Sequence, residues 1–158
     1  MRTVAYCRVS TNELDQLNSL SNQMQHYKEL FQSKGCTPVN VGMLYKKNGE
    51  RQYLEGIFAD EGITGTKKKN RKAFEYMMKC AENGEFDVIY VKNVQRFARN
   101  VKDGAGDLKR LKQLDIKVIF EDGNLNYHEH EAIINMFLSI AQEESRMKSV
   151  ACKFGIRK

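Results

Sequence analysis

Apolar and polar positions along this chain fall into two rhythms, short β-type runs and longer helical ones. Residues 4–10, Val-Ala-Tyr-Cys-Arg-Val-Ser, open with a short buried strand, apolar and β-prone at Val4, Ala5, Tyr6, Cys7 and Val9. Arg8 breaks the run and the Ser10 hydroxyl closes it. A polar loop, residues 11–18, leads to a helix predicted from about residue 20 to 34, with Leu20, Met24, Tyr27, Leu30 and Phe31 on one face. Ser19 or Ser21 is suited to cap its start and Gly35 to stop it. Two strand-like runs flank Asn48-Gly49, so residues 41–58 read as a hairpin decorating a sheet edge. Residues 60–71, with Gly62, Gly65 and a basic run, read as a mobile loop. The helix predicted over residues 72–83 turns Phe74, Met77, Met78 and Ala81 inward and stops at Gly84. Residues 86–91 are almost continuously apolar, the mark of a strand buried on both faces. A loop (92–100), a helix (101–114), a strand (117–121) and a loop (122–127) follow. The order βα(ββ)αβαβα predicts a three-layer α/β/α domain with a mainly parallel sheet and a hairpin insertion.

The last helix, from about residue 129, carries Ile133, Phe137, Ile140, Glu144, Met147, Ala151 and Phe154 at alternating steps of four and three, a coiled-coil-like seam. Ile134, Leu138 and Ala141 run beside it. Some 27 residues of helix span about 40 Å, whereas a domain of this size has a radius of gyration of about 15 Å. The helix is therefore expected to project, and its seam to meet the same helix of another subunit. The chain divides on this reading into an α/β core, 1–127, and a long oligomerisation helix, 128–158.

Composition narrows the picture only modestly. With 158 residues, one domain with a real core is expected. Lys and Arg outnumber Asp and Glu by 26 to 20, and the net charge of +6 suits a polyanionic partner without assigning one. Cys7, Cys36, Cys80 and Cys152 form no paired motif, which argues against a zinc site or a disulfide framework and for free thiols in a reducing cytoplasm. No apolar run has transmembrane length, and the N-terminus reads as a strand rather than a signal peptide.

The candidate chemistry gathers at the carboxyl ends of the predicted strands, where open α/β sheets hold ligands. Strand alternation puts Arg8 on the same face as Ser10. The loop at 60–71 adds Arg71, and the loop after residue 91 adds Arg96 and Arg99. Four guanidinium groups around one hydroxyl suit attack on a phosphodiester, since each fork bonds two oxygens and stays charged. Taken alone, the same residues also describe a strand ending in a turn serine beside solvated arginines. A nucleotide-binding domain of flavodoxin type would want a glycine-rich loop after the first strand, and residues 10–18 contain no glycine. His26, His128 and His130 lie away from these loops in sequence; His128 and His130 flank Glu129 at a helix start and read as solvated surface.

Tyr6-x-Arg8-Val9-Ser10, Leu20-x-x-Gln23, Asp60-Glu61-Gly62-Ile63-Thr64-Gly65-Thr66, Arg96-Phe97-Ala98-Arg99-Asn100 and Ala141-Gln142-Glu143-Glu144 occur in that order. Together they resemble the catalytic domain of the serine recombinases, the resolvase/invertase superfamily, and most the large integrases and mobile-element transposases. The resemblance spans essentially the whole chain. It implies that Ser10 attacks a DNA phosphodiester, forming a 5′-phosphoserine link and releasing a 3′-hydroxyl. It implies that Arg8, Arg71, Arg96 and Arg99 bind the scissile phosphate, with Tyr6, Gln23, Asp60 and Glu144 supporting. Lys67, Lys68, Lys69 and Lys92 are expected to contact DNA. No metal and no cofactor are implied. The partners implied are double-stranded DNA and further copies of the chain, as a homodimer or homotetramer through the helix over 128–155, without a membrane. A bacterial or phage element, acting in the cytoplasm, is the expected source. The alternative is a non-catalytic oligomerisation or DNA-binding module that retains the fold.

Four departures stand against the family pattern. Gln95 occupies a position where many relatives carry an acid able to protonate the leaving oxygen, and Ser145 one where many carry arginine. The hairpin around Asn48-Gly49 is longer than in the simplest resolvases, and the sequence stops at Lys158, so a DNA-targeting region is expected beyond it.

Overall fold

A computed structural model describes residues 1–9, 13–61, 71–98 and 100–153, with side chains described for these except at 13–19, 141, 142, 144, 145 and 148–153. Among the described residues seven strands form one sheet in the order β3-β2-β4-β1-β5-β6-β7. The central strand β1 (Thr3–Val9) pairs in parallel with β4 (Ile57–Glu61) on one side and β5 (Val88–Val91) on the other. β2 (Met43–Tyr45) and β6 (Lys117–Phe120) extend the parallel set outward. Two-residue antiparallel strands, β3 (Arg51–Gln52) and β7 (Leu125–Asn126), close the two edges. The topology reverses at β1, which makes its carboxyl end the natural ligand site of such a sheet.

Alternation along β1 sorts the core into two layers. Val4 and Tyr6 face α2 (Lys72–Glu82), α4 (Val101–Gln113) and α5 (Tyr127–Lys153), among Phe74, Met77, Leu108, Leu111, Ile134 and Leu138. Ala5, Cys7 and Val9 face α1 (Glu13–Ser33), against Tyr27 and the half-buried Leu20, Met24, Leu30 and Phe31. Val88, Ile89, Tyr90 and Val91 are all buried, as their uninterrupted apolar run requires. The expected α/β/α architecture is present, with helices on both faces of a mainly parallel sheet.

Several boundaries differ from expectation. α1 begins at Glu13, so most of the expected polar loop is helical and neither Ser19 nor Ser21 caps it. By residue type Glu13, Leu14 and Gln16 are good helix formers. The hairpin is confined to β2 and β3, and residues 57–59 belong to the interior strand β4 rather than to a hairpin arm. Two glycines make this return possible. A Cβ on Gly42 would lie 1.7 Å from the Leu54 carbonyl oxygen, and Gly56 holds φ +71°. β7 and the single turn α3 (Val94–Phe97) also arise within expected loops. Asp60 and Glu61 close β4, while residues 62–70 lie outside the described set.

The expected long helix is one 27-residue element, interrupted at His130, where φ is −122° and ψ 33°. Its start corrects the reading of two histidines as solvated surface. His130 Nδ1 accepts the Asn126 N–H at 3.0 Å. Both His128 ring nitrogens are buried without a hydrogen-bond partner among the described residues, with Nε2 3.8 Å from an Asp115 carboxylate oxygen. Farther along, Ile134 and Leu138 are buried, whereas Ile133, Phe137, Ile140 and Met147 are 43–56% exposed. The buried pair packs on the domain, and the described apolar seam positions face outward, while Glu144, Ala151 and Phe154 lie outside the described side chains.

Candidate active site

A buried carboxylate organises the carboxyl end of β1. Asp60 and Thr3 are the buried polar residues of the described chain, and Asp60 is 3% exposed. Such a group is tolerated only with partners, and Asp60 has three donors. The Tyr6 hydroxyl donates to its Oδ2 at 2.7 Å, and the backbone N–H groups of Ala73 and Phe74 donate to Oδ1 and Oδ2 at 2.9 and 3.1 Å. The last two are free N–H groups of the first turn of α2, whose own N-cap residue, Arg71, supplies no side-chain cap. Asp60 therefore caps α2 from a neighbouring strand. Burial raises the Asp60 pKa above its ordinary value; the Tyr6, Ala73 and Phe74 donors and the charge of Arg71 oppose the shift without cancelling it. Burial likewise raises the Tyr6 hydroxyl, which stays a donor.

Arg71 is seated on the same structure. Its Nε donates to the Tyr6 hydroxyl oxygen at 3.3 Å and its Nη2 to the Phe97 carbonyl at 2.6 Å. The guanidinium carbon lies 3.9 Å from the Phe74 ring centroid and 5.4 Å from that of Tyr6. Stacking and hydrogen bonding together fix the plane of a cation more weakly hydrated than an ammonium. The aromatic bed is continuous, since Tyr6, Phe74, Phe97 and Phe120 meet edge to face in sequence at 5.1, 5.2 and 5.9 Å.

Arg96 reaches the site from α3. Its Nη1 donates to the Arg8 carbonyl at 3.0 Å, and Gln23 Nε2 on α1 donates to the same oxygen at 3.3 Å. Asn93 caps α3 by accepting the Arg96 N–H at 3.0 Å, as its residue type favours. Arg8 is half-buried on β1, two residues beyond Tyr6 and so on the same strand face. Asp60 is its register partner on β4. Tyr6, Arg8, Gln23, Asp60, Arg71 and Arg96 are thus brought together at the carboxyl end of the sheet's central strands. Cys7, beside Arg8, is no alternative nucleophile, because burial raises its thiol to about 12.

Ser10, Arg99, Lys67, Lys68 and Lys69 lie outside the described residues. Glu144 belongs to α5, but its side chain is not among those described. Lys92 is exposed immediately after β5. Sequence reading missed Asn93, which its cap-forming type followed by a short apolar turn signals. It also missed the Phe97 carbonyl, a backbone group with no signal, and Glu121, whose Oε2 lies 2.6 Å from His26 Nε2 and ties the end of β6 to α1. Among the described residues no group of three or more His, Cys, Asp or Glu is arranged to hold a metal. None of the described helices is long and apolar enough to cross a membrane.

A doubly wound α/β domain whose central strand ends among seated arginines is equipped to hold an anionic group of phosphate type. Residues 3–158 match the family model for the resolvase N-terminal domain, and the chain belongs to that family, the catalytic domain of the serine recombinases. Its fold is similar to the crystal structure of the N-terminal catalytic domain of TP901-1 integrase. That similarity has 21% identity and a TM-score of 0.60, over 93% of this chain and 98% of the other. It is also similar to a resolvase family site-specific recombinase from Streptococcus pneumoniae, with 19% identity and a TM-score of 0.59 over 98% of this chain and 95% of the other. A comparison with curated proteins gives no match.

Proposed function

We propose that this domain cuts and rejoins duplex DNA, with Ser10 as the nucleophile. In this reading the Ser10 Oγ, giving its proton to solvent, forms a bond to phosphorus as the P–O3′ bond breaks. The products are a 5′-phosphoserine link and a 3′-oxygen that takes a proton from solvent and leaves as a hydroxyl. Religation reverses the step with a 3′-hydroxyl from another strand. The phosphodiester bond energy is kept in the seryl ester, so no nucleotide is consumed. Arg8, Arg71, Arg96 and Arg99 bind the non-bridging oxygens and stabilise the extra charge of the pentacoordinate phosphorus. Tyr6 and Asp60 seat Arg71, Gln23 steadies the end of β1, and Glu144 supports the assembly. Lys67, Lys68, Lys69 and Lys92 hold flanking phosphates. Gln95 is exposed on α3 and has no acidic proton to give; stabilisation of the leaving oxygen then falls to the arginines. Residues 1–127 form the catalytic core, and the helix from 128 pairs subunits into a dimer or tetramer through its outer apolar row.

The observation that carries this reading is the tie of Arg71 and Arg96 to β1, through the Tyr6 hydroxyl and the Arg8 carbonyl, with Ser10 next in sequence after the last residue of that strand. The test is covalent trapping. The domain is fused to a DNA-targeting module and offered a nicked suicide substrate, and denaturation-resistant protein–DNA adducts are counted. The parent fusion is expected to give an adduct, Ser10→Ala none, and Arg71→Ala at least about 100-fold less, the scale for losing one preorganised charge donor. An adduct that survives Ser10→Ala overturns the assignment. None from a folded parent fusion that still self-associates favours a non-catalytic assembly module.

A further inference from the structure

One residue beyond Arg71 a second basic surface begins. A groove of about 430 Å³ runs between the β2–β3 hairpin and the outer side of α2, lined by Arg51 and Tyr53 from the hairpin side and by Lys72, Glu75, Tyr76 and Lys79 from the helix. Three cations face one carboxylate here, and Glu75 lies 3.3 Å from the Lys72 ammonium, so the groove carries a surplus of positive charge. Tyr53 is 60% and Tyr76 38% exposed. Neither tyrosine belongs to the seat of Arg71, and the hairpin strands carry none of the residues of the catalytic cluster.

We propose that this groove is a second DNA-contact surface, which takes the sugar–phosphate backbone of the duplex flanking the bond that is cut. The inference rests on the reading of the site as DNA-cleaving. Three features support this occupant. Lys72 and Lys79 are seven residues apart on one helix, about 10 Å, roughly three nucleotide steps along one strand of B-DNA. Lysine, arginine and tyrosine hydroxyls are donors that protein–DNA interfaces direct at phosphate. The surplus of positive charge fits a polyanion better than a protein surface of mixed charge.

The test is binding of the 158-residue chain to a fluorescent duplex of arbitrary sequence, followed by anisotropy across a salt series. Each phosphate left without its cation flattens the slope of log K against log salt by about 0.9. Arg51→Gln/Lys79→Gln is therefore expected to flatten it by about 1.8, and both positions are exposed, so folding is checked by one thermal melt. Tyr53→Phe is expected to weaken binding about two- to fivefold with the slope unchanged, since a neutral donor releases no counterion. An unaltered slope in the folded double variant overturns the groove. Arg71→Ala is run in parallel: if it flattens the slope while the double variant does not, the groove fails and the DNA-cleaving reading stands. No salt-sensitive binding by the parent chain overturns the groove and leaves the DNA-cleaving reading to the trapping assay, where the targeting module supplies the affinity.

Discussion

Replacing Tyr6 by Phe removes one oxygen atom from the centre of the site and leaves its packing in place. The ring keeps its edge contact with Phe74 at 5.1 Å. Two hydrogen bonds go, one donated to the Asp60 carboxylate at 2.7 Å and one accepted from Arg71 Nε at 3.3 Å. A hydrogen bond to a charged group contributes about 1.5–3 kcal/mol and one between neutral groups about 0.5–1.5. Asp60 is almost fully buried, so little solvent screening reduces the first figure. The loss at neutral pH is expected at about 2 kcal/mol, a fall in Tm of about 4–8 °C for a chain of this length. Its pH dependence follows from Asp60. A folded pKa raised above the ordinary 3.8 means that the folded chain holds a proton the unfolded chain releases. Stability therefore falls as pH climbs through the window above 3.8 and levels off beyond the folded value. The Tyr6 hydroxyl limits that fall by favouring the carboxylate, so without it the fall deepens. The cost of Tyr6→Phe should grow as pH rises from about 4 to 7.5. Urea denaturation of both proteins at several pH values measures it. A cost that is flat or shrinks as pH rises would refute the assignment of the hydroxyl as a donor to a charged Asp60.

Gly104→Ala sets helix propensity against space. Propensity favours Ala by about 0.8–1 kcal/mol, yet the new Cβ would lie 2.6 Å from the Ala98 Cβ and 3.1 Å from a Leu138 methyl. A net loss of about 1–3 kcal/mol is expected, partly recovered by Ala98→Gly in a double-mutant cycle; a stabilised single variant would contradict it. Asn100→Ala removes the 2.8 Å cap on the Asp103 N–H and should cost about 1 kcal/mol in denaturant melts. Leu138→Ala should cost about 2–5 kcal/mol. Phe137→Glu/Ile140→Glu, on the exposed row, should leave Tm nearly unchanged and abolish self-association in sedimentation; comparable losses of stability in both variants would show that the two rows are not separate.

What the sequence made legible were the elements with long periods or continuous runs. The helix after Arg71 and the buried strand before Lys92 fall within a residue or two of expectation. Strand β7 did not show, because a two-residue strand is specified by its neighbour's free edge rather than by its own pattern, whereas the β2–β3 pairing was legible from the Asn48-Gly49 turn. Residues 57–59 looked like a hairpin arm because their apolar run follows Asn48-Gly49. Their place inside the sheet depends on a close approach at Gly42 that only coordinates reveal. Tyr6, Asp60, Arg71 and Arg96 were recognisable by type and order. How they act on one another was not, because Asp60 caps a helix 13 residues downstream and Arg71 is seated on a backbone carbonyl.

The two apolar rows of α5 have no residue in common: Ile134 and Leu138 serve the chain's own interior, while Ile133, Phe137, Ile140 and Met147 serve whatever lies outside. Such a helix carries two messages that are edited separately. On the subunit pairing proposed above, a lineage is free to rewrite the outer one, and so change which copies it accepts, without touching the buried row. Closely related chains sharing one cell would then have in this row a simple means of ignoring one another.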